Sequence, residues 1–324
     1  MPRAIRTVRF DGREVTVGFA ALSASGSSAA AVLDAVHDGD TVNVRPLGDV
    51  GVRLLGIDTP EISFLLPDAG NRFTSLSDPR WETFLSQSLD ANRPLRHRLP
   101  PALVASLQHR LSSGASAANQ LKWAREAERF LERCIVDDAR VMQTPAERFR
   151  LFMAFAHEVM DGYGRFLCFL NRDQPARNKP EPRPPTYNER LLAAGLALPY
   201  FIWPNVDPWR RAPSLLDAVP PPHAPLQLTV TSSEVSGPTA SSPGATRPIR
   251  RDSEALQRAR DHVRRARAAH RGCFDAMDPL LLEPFELRFL ARQQPPERWV
   301  IDLTARDGRL RRPVEYYTIP HPED

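Results

Sequence analysis

Val52-Arg53-Leu54-Leu55-Gly56-Ile57-Asp58-Thr59-Pro60-Glu61 is the stretch on which the fold turns. Its apolar residues read as a strand over 50–57. Asp58-Thr59-Pro60 ends that strand, because proline has no N–H to give to a ladder. Upstream, His37-Asp38-Gly39-Asp40-Thr41-Val42 places an Asp-Gly turn between candidate strands at 31–36 and 41–45. Downstream, Tyr163-Gly164-Arg165 opens a further candidate strand over 164–171. Singly, each segment has an ordinary reading: a turn, a strand end, an arginine paired structurally with an acid. Together they bring Asp40, Asp58 and Glu61 toward Arg53 and Arg165. Carboxylate oxygens suit a hard divalent cation, and guanidiniums grip phosphate oxygens in pairs.

Working outward, 324 residues suffice for one large or two ordinary domains, and 42% hydrophobic residues permit a substantial core. The 32 prolines exceed the needs of a compact domain. Many fall in the Pro/Ser-rich stretch 206–250, which reads as a disordered linker. A β-hairpin is expected over 1–22 about Asp11-Gly12, then a main domain over 30–205 with a helical insertion at about 62–115. A basic helix over 251–272 returns to that domain, and a C-terminal β extension covers 275–324. The extension is read from the alternation of Phe285, Leu287 and Phe289 and of Trp299, Ile301 and Leu303.

Within the main domain, Asp78-Pro79 signals a helix start, and further helices are expected at 101–111 and 117–135. A strand is read at 138–143. The pattern Thr144-Pro145-Ala146-Glu147 is a capping box that predicts a helix over 147–160, and Thr186-Tyr187-Asn188-Glu189 predicts a short one through 197.

The formal net charge of +4 permits a polyanionic partner without requiring one. Cys134, Cys168 and Cys273 are odd in number and widely spaced, which suits free thiols in a reducing compartment. Arginines near the N-terminus faintly imitate a signal peptide, but Asp11 and Glu14 interrupt them. A cytoplasmic location is expected, with export as the minor alternative. No apolar run is long enough to span a bilayer, so no membrane association is expected.

At the level of these motifs the chain resembles the staphylococcal nuclease-like (thermonuclease) family. The resemblance rests on Asp38-Gly39-Asp40-Thr41-Val42, on Arg53 through Glu61 and on Tyr163-Gly164-Arg165, with weaker echoes in 188–197 and the basic helix. It implies an α+β fold: an OB-fold-type five-stranded β-barrel with packed helices, here carrying the helical insertion and the small C-terminal β extension. It implies a calcium-dependent nuclease that hydrolyses DNA and/or RNA to leave 3′-phosphates. Asp40 and Asp58 would bind Ca2+ by side chain and Thr59 by its carbonyl, with Asp38 behind them. Glu61 would activate water, and Arg53 and Arg165 would hold the phosphate. Tyr163 would seat the nucleotide, and an aromatic of Tyr200-Phe201-Ile202-Trp203, with Tyr200 taken as the site residue, would stack a base. The alternative is a nucleic-acid or protein-binding adaptor of the same fold; no obligate protein partner is implied. Two departures stand out. Gly162 occupies a position where such proteins often carry a basic residue. The helices at 62–115 begin directly after Glu61, where a lid restricting substrate shape would lie.

Overall fold

The computed structural model describes residues 3–10, 13–23, 43–70, 72–206, 254–303 and 310–311. The strands of the N-terminal part are Ile5–Phe10 (β1), Arg13–Gly18 (β2), Ala20–Leu22 (β3), Val44–Pro46 (β4), Val52–Leu54 (β5) and Gly56–Asp58 (β6). Ser63–Leu66 (β7) and Arg72–Ser75 (β8) follow, then Leu151–Met160 (β9), Phe166–Arg172 (β10) and Leu198–Tyr200 (β11). Val300–Ile301 (β12) and Leu310–Arg311 (β13) lie near the C-terminus. The helices are Arg80–Gln87 (α1), Pro101–Leu111 (α2), Ser116–Val141 (α3), Tyr187–Ala193 (α4), Glu254–Ala268 (α5) and Pro284–Arg292 (α6).

Gly56 decides how the central strand is used. Its φ is +73°, and an added Cβ would lie 2.6 Å from the Phe201 ring. The chain therefore turns where a single strand was expected over 50–57, at a conformation that glycine adopts without strain. Before the turn, β5 runs parallel to β10, with Arg53 opposite Leu167. Beyond it, β6 runs antiparallel to β11, with Gly56 opposite Tyr200 and Asp58 opposite Leu198.

The expected five-stranded barrel is overturned by this division. Among the described residues the sheets are small and open: the order β5-β10-β9, and the two-stranded pairs β1-β2, β3-β4, β6-β11, β7-β8 and β12-β13. A barrel requires each strand to hydrogen-bond on both sides. Here β5 and β9 end their sheet, and the turn at Gly56 hands β6 to a separate partner. Residues 24–42, which include the expected strand at 31–36 and the turn at Asp38-Gly39, lie outside the described residues.

Two segments take the opposite secondary structure from the one predicted. Thr144–Glu147 closes only a single helical turn at Ala146–Arg148, and residues 151–160 form β9. β10 offers that segment a long antiparallel ladder, from Phe169 opposite Ala154 to Arg172 opposite Leu151. Tertiary pairing of aromatic and β-branched residues outweighs a local helix period. Conversely, Phe285, Leu287 and Phe289 lie on a helix. Glu283 and Glu286 form a capping box around Pro284 at the first helical position, and Phe285, Leu287, Phe289, Leu290 and Ala291 are all buried. A helix apolar on nearly every side mimics strand alternation. The strand predicted at 138–143 is likewise absent, because α3 continues to Val141.

Other local signals hold. Asp78 Oδ1 accepts from the Arg80 N–H at 3.0 Å ahead of α1, and Pro101 opens α2. The capping box at Thr186 and Glu189 is complete. β1 and β2 pair from Ile5 opposite Gly18 to Phe10 opposite Arg13. The basic helix α5 buries Leu256, Ala259 and Ala266. The three cysteines are free thiols.

The largest apolar cluster sits outside the β5-β10-β9 sheet and the β6-β11 pair. It joins Phe64 and Leu66 of β7 and the helices that follow, including Trp81, Phe84 and Leu107, to Leu287 and Leu290 of α6. Each such side chain stabilises the fold by roughly 1.5–3 kcal/mol through its buried apolar area. The helices at 62–115 thus contribute much of this core. No helix among the described residues is long and apolar enough to cross a membrane.

A second glycine makes the fold testable. Gly195 ends α4 at φ +71°, and its carbonyl accepts from the Cys273 N–H at 2.8 Å. A Cβ there would strike the Arg271 carbonyl, whereas one on Gly114, at φ +66°, meets nothing within 4 Å. Gly195→Ala should cost about 3 kcal/mol, strain and overpacking together. Gly114→Ala should cost about 1–2 kcal/mol. Urea unfolding of the two variants measures the difference, and equal losses would contradict the packing described.

Candidate functional site

Asp58 ends β6 with its side chain only 1% exposed. Burying a carboxylate is costly unless it is paired. Two guanidiniums answer it. Arg53, on β5, donates from Nη2 to Asp58 Oδ1 at 2.7 Å. Arg288, on α6, donates from Nη1 to Asp58 Oδ1 at 2.9 Å and from Nη2 to Oδ2 at 2.5 Å. The same Nη1 donates to Glu61 Oε1 at 2.7 Å. Arg288 is therefore a clamp between the two carboxylates, gripping one of them bidentately.

The surrounding groups hold that clamp in place. The Glu61 N–H donates to Gln120 Oε1 on α3 at 3.1 Å, and Gln120 Nε2 donates to the Leu282 carbonyl just ahead of α6. Tyr200, opposite Gly56 in β11, stacks on Phe285 of α6 at 5.8 Å. The Arg288 guanidinium lies 5.9 Å from the Tyr200 ring centre.

Electrostatics follow from this geometry. Burial pushes the Asp58 carboxyl up, but Arg288 and Arg53 outweigh it and hold the group below its ordinary value. Burial draws Arg288 down, yet Asp58 and Glu61 hold it above the usual guanidinium value. Burial and the Asp58 charge push the Tyr200 hydroxyl up to about 12. Two cations thus face two anions, and the cluster is neutralised from within.

This arrangement overturns the calcium reading. Asp38 and Asp40 lie outside the described residues. Asp58, the other expected side-chain ligand, spends both oxygens on guanidiniums, and Glu61 Oε1 is held by Arg288 Nη1. Thr59 follows Asp58 at the end of β6. Among the described residues no group of three or more His, Cys, Asp or Glu side chains is placed to hold a metal ion. Where a cation would sit between Asp58 and Glu61, the protein supplies Arg288. With no barrel and no metal-binding cluster among the described residues, the expected calcium-dependent phosphodiesterase chemistry has no basis there.

The remaining sequence-predicted residues gather beside the clamp. Arg165, just ahead of β10, is paired with Asp161 at 2.7 Å and lies 5.5 Å from the Tyr163 ring. Tyr163 is 45% exposed, and its hydroxyl accepts from Arg292 Nη2 at 3.3 Å. Arg292 also lies over the Phe64 ring at 5.3 Å, and Phe64 meets Phe73 edge-on at 6.1 Å. Phe73 is 65% exposed. Arg53, Asp58, Glu61 and Tyr200 thus share one cluster, with Tyr163 and Arg165 on its flank.

Arg288 and Arg292 escaped the sequence reading. They lie one turn apart on α6, so both face the same side. The signal that could have found them is Glu283-Pro284-Phe285-Glu286, which has the helix-start pattern and would have turned a predicted strand into a helix.

Removing Arg288 should expose the cost of the buried carboxylate. Arg288→Met keeps the apolar stem and should lose about 3–5 kcal/mol in urea unfolding at pH 7. The sign of the pH effect follows from the lowered Asp58 value. Its contribution is complete above the unfolded value of 3.8 and is lost as pH falls through the lower folded value. The gap between wild type and variant should therefore narrow from pH 7 to pH 3; a constant gap would contradict the clamp. Calcium should leave the wild-type melting temperature unchanged.

Comparison of the chain with protein-family models, with curated proteins and with solved structures found no match.

Proposed function

We propose that this protein binds single-stranded nucleic acid on the strip formed by Phe73, Arg292, Tyr163 and Arg165. The observation that carries this reading is the alternation of rings and guanidiniums along one continuous set of contacts, in which Phe73, Tyr163 and Arg292 are exposed and Arg165 is held by Asp161. Phe73 touches Phe64, Arg292 bridges Phe64 and Tyr163, and Arg165 lies beside Tyr163.

The chemistry suits an unpaired strand. An exposed ring offers a face on which any base can stack, and each stacked base contributes about 1–3 kcal/mol. A guanidinium offers paired donors to a phosphate. Arg292 is exposed and has no carboxylate partner among the described residues. It can therefore give its charge to a backbone phosphate without breaking an internal ion pair. The net charge of +4 permits the same partner. No metal and no bond cleavage enter this proposal.

Fluorescence anisotropy with a labelled single-stranded oligonucleotide tests it. Binding should weaken as salt rises, and Tyr163→Ala and Phe73→Ala should each reduce affinity by about tenfold, within the stacking range. Arg292→Gln should lower the slope of log affinity against log salt by about 0.7, the value of one single-strand phosphate contact. Undetectable binding by wild type, or unchanged affinity in the Tyr163→Ala/Phe73→Ala double variant, would overturn the reading.

A further inference from the structure

A cavity of about 190 Å³ lies among β6, β9, β10, α4 and the first turns of α5. Its walls are apolar, formed by Leu55, Ile57, Phe152, Phe169, Leu192 and Phe201. Arg177 and Arg183 also line it. None of these residues belongs to the aromatic–arginine strip or to the Arg288 clamp.

The polar groups of the wall divide into saturated and unsaturated ones. Asn188 accepts from the Leu170 N–H at 3.0 Å and donates to the Leu55 carbonyl at 2.8 Å. Asn171 donates to the Pro184 carbonyl at 2.9 Å and accepts from the Arg172 N–H at 2.9 Å. Thr186 and Glu189 satisfy each other in the capping box, and Glu189 also holds Arg258. These groups have little left to offer a ligand.

The two arginines differ. Arg183 lies over the Phe152 ring at 4.7 Å, and its Nη2 donates to the Arg172 carbonyl at 3.2 Å. Its Nε is buried with no acceptor. A buried donor without a partner is costly, and an anionic oxygen would satisfy it. Arg177 is exposed, and its guanidinium has no partner among the described residues. Neither arginine has a carboxylate opposite it there, so the cavity carries unbalanced positive charge.

We propose that this cavity binds a small amphipathic carboxylate, with an apolar body in the pocket and the anionic head on Arg183 and Arg177. Size bounds the body. A dry cavity of about 150 Å³ accepts benzene, so this one suits a single aromatic ring or a short acyl chain. Drug-sized and dinucleotide ligands, which need about 300–1,000 Å³, do not fit. The saturated asparagines disfavour a nucleobase, whose edges require open donors and acceptors. An apolar body with one anionic end uses what the wall leaves available.

Fluorine NMR of 4-fluorobenzoate titrated with the full chain is the test, beside neutral 4-fluorobenzamide and inorganic phosphate. Saturable broadening of the benzoate signal is expected, with binding at least tenfold weaker for the benzamide and for phosphate. Arg183→Met keeps the stem over Phe152 and should weaken benzoate binding fivefold or more while leaving the benzamide unchanged. Arg177→Gln alters an exposed side chain, so it tests the charge without risk to folding and should act in the same direction. Ala154→Leu should fill the cavity and abolish binding in a chain whose circular dichroism is unchanged. No saturable benzoate binding, equal binding of the benzamide, displacement by phosphate at equal concentration, or indifference to both arginine variants would overturn the proposal.

Discussion

One ion cluster ties the molecule together: Arg288 held between Asp58 and Glu61, with Arg53 completing the charge balance. Asp58 lies at the end of a short strand, Glu61 in the loop beyond it, and Arg288 on a helix far along the chain. Because Asp58 is buried, its charge is tolerated only while those guanidiniums stay in place. The cluster therefore fixes how α6 docks, and α6 in turn supplies Leu287 and Leu290 to the largest apolar cluster. Local charge pairing and global packing depend on the same helix.

The same device recurs elsewhere. Asp138, buried on α3, accepts from Arg172 Nη1 at 3.1 Å, Arg190 Nη2 at 2.8 Å and the Tyr187 hydroxyl at 2.8 Å. Glu286 takes both terminal nitrogens of Arg110 at 2.7 Å. At Glu286 the arginine fork meets the carboxylate in a bidentate geometry that lysine could not reproduce, while Asp138 takes one nitrogen from each of two arginines. A surplus of basic residues in the sequence is thus a poor guide to surface charge, because many of them are internal counter-ions. Arg292, Arg177 and Arg183 matter because they have no carboxylate opposite them among the described residues.

The candidate site was partly legible before the structure. Arg53, Asp58, Glu61 and Tyr200 do converge, and Tyr163 and Arg165 lie beside them. Asp38 and Asp40, expected in the same cluster, lie outside the described residues, and the chemistry expected of the group is not the one its contacts serve. The same carboxylates that can hold a metal can hold an arginine, and nothing in residues 52–61 distinguishes the two. The deciding group, Arg288, comes from a segment whose alternating Phe285, Leu287 and Phe289 imitate a strand. Even when read as a helix, that segment's docking position would stay hidden in the linear order.

Short-range chemistry written in the chain determined the helix starts at Asp78, Pro101 and Thr186, the pairing of β1 with β2, the strand at 166–172 and the buried face of α5. Each depends on a hydrogen bond or an apolar stripe formed within a few residues, or on the next strand in line. Tertiary structure alone decided that 151–160 would be a strand, because β10 was there to pair with it. It also decided that Gly56 would divide the central strand between two sheets, and that Asp58 and Glu61 would meet a guanidinium rather than an ion. Those outcomes depend on which distant surface arrives, and a linear pattern carries only the local half of that contact.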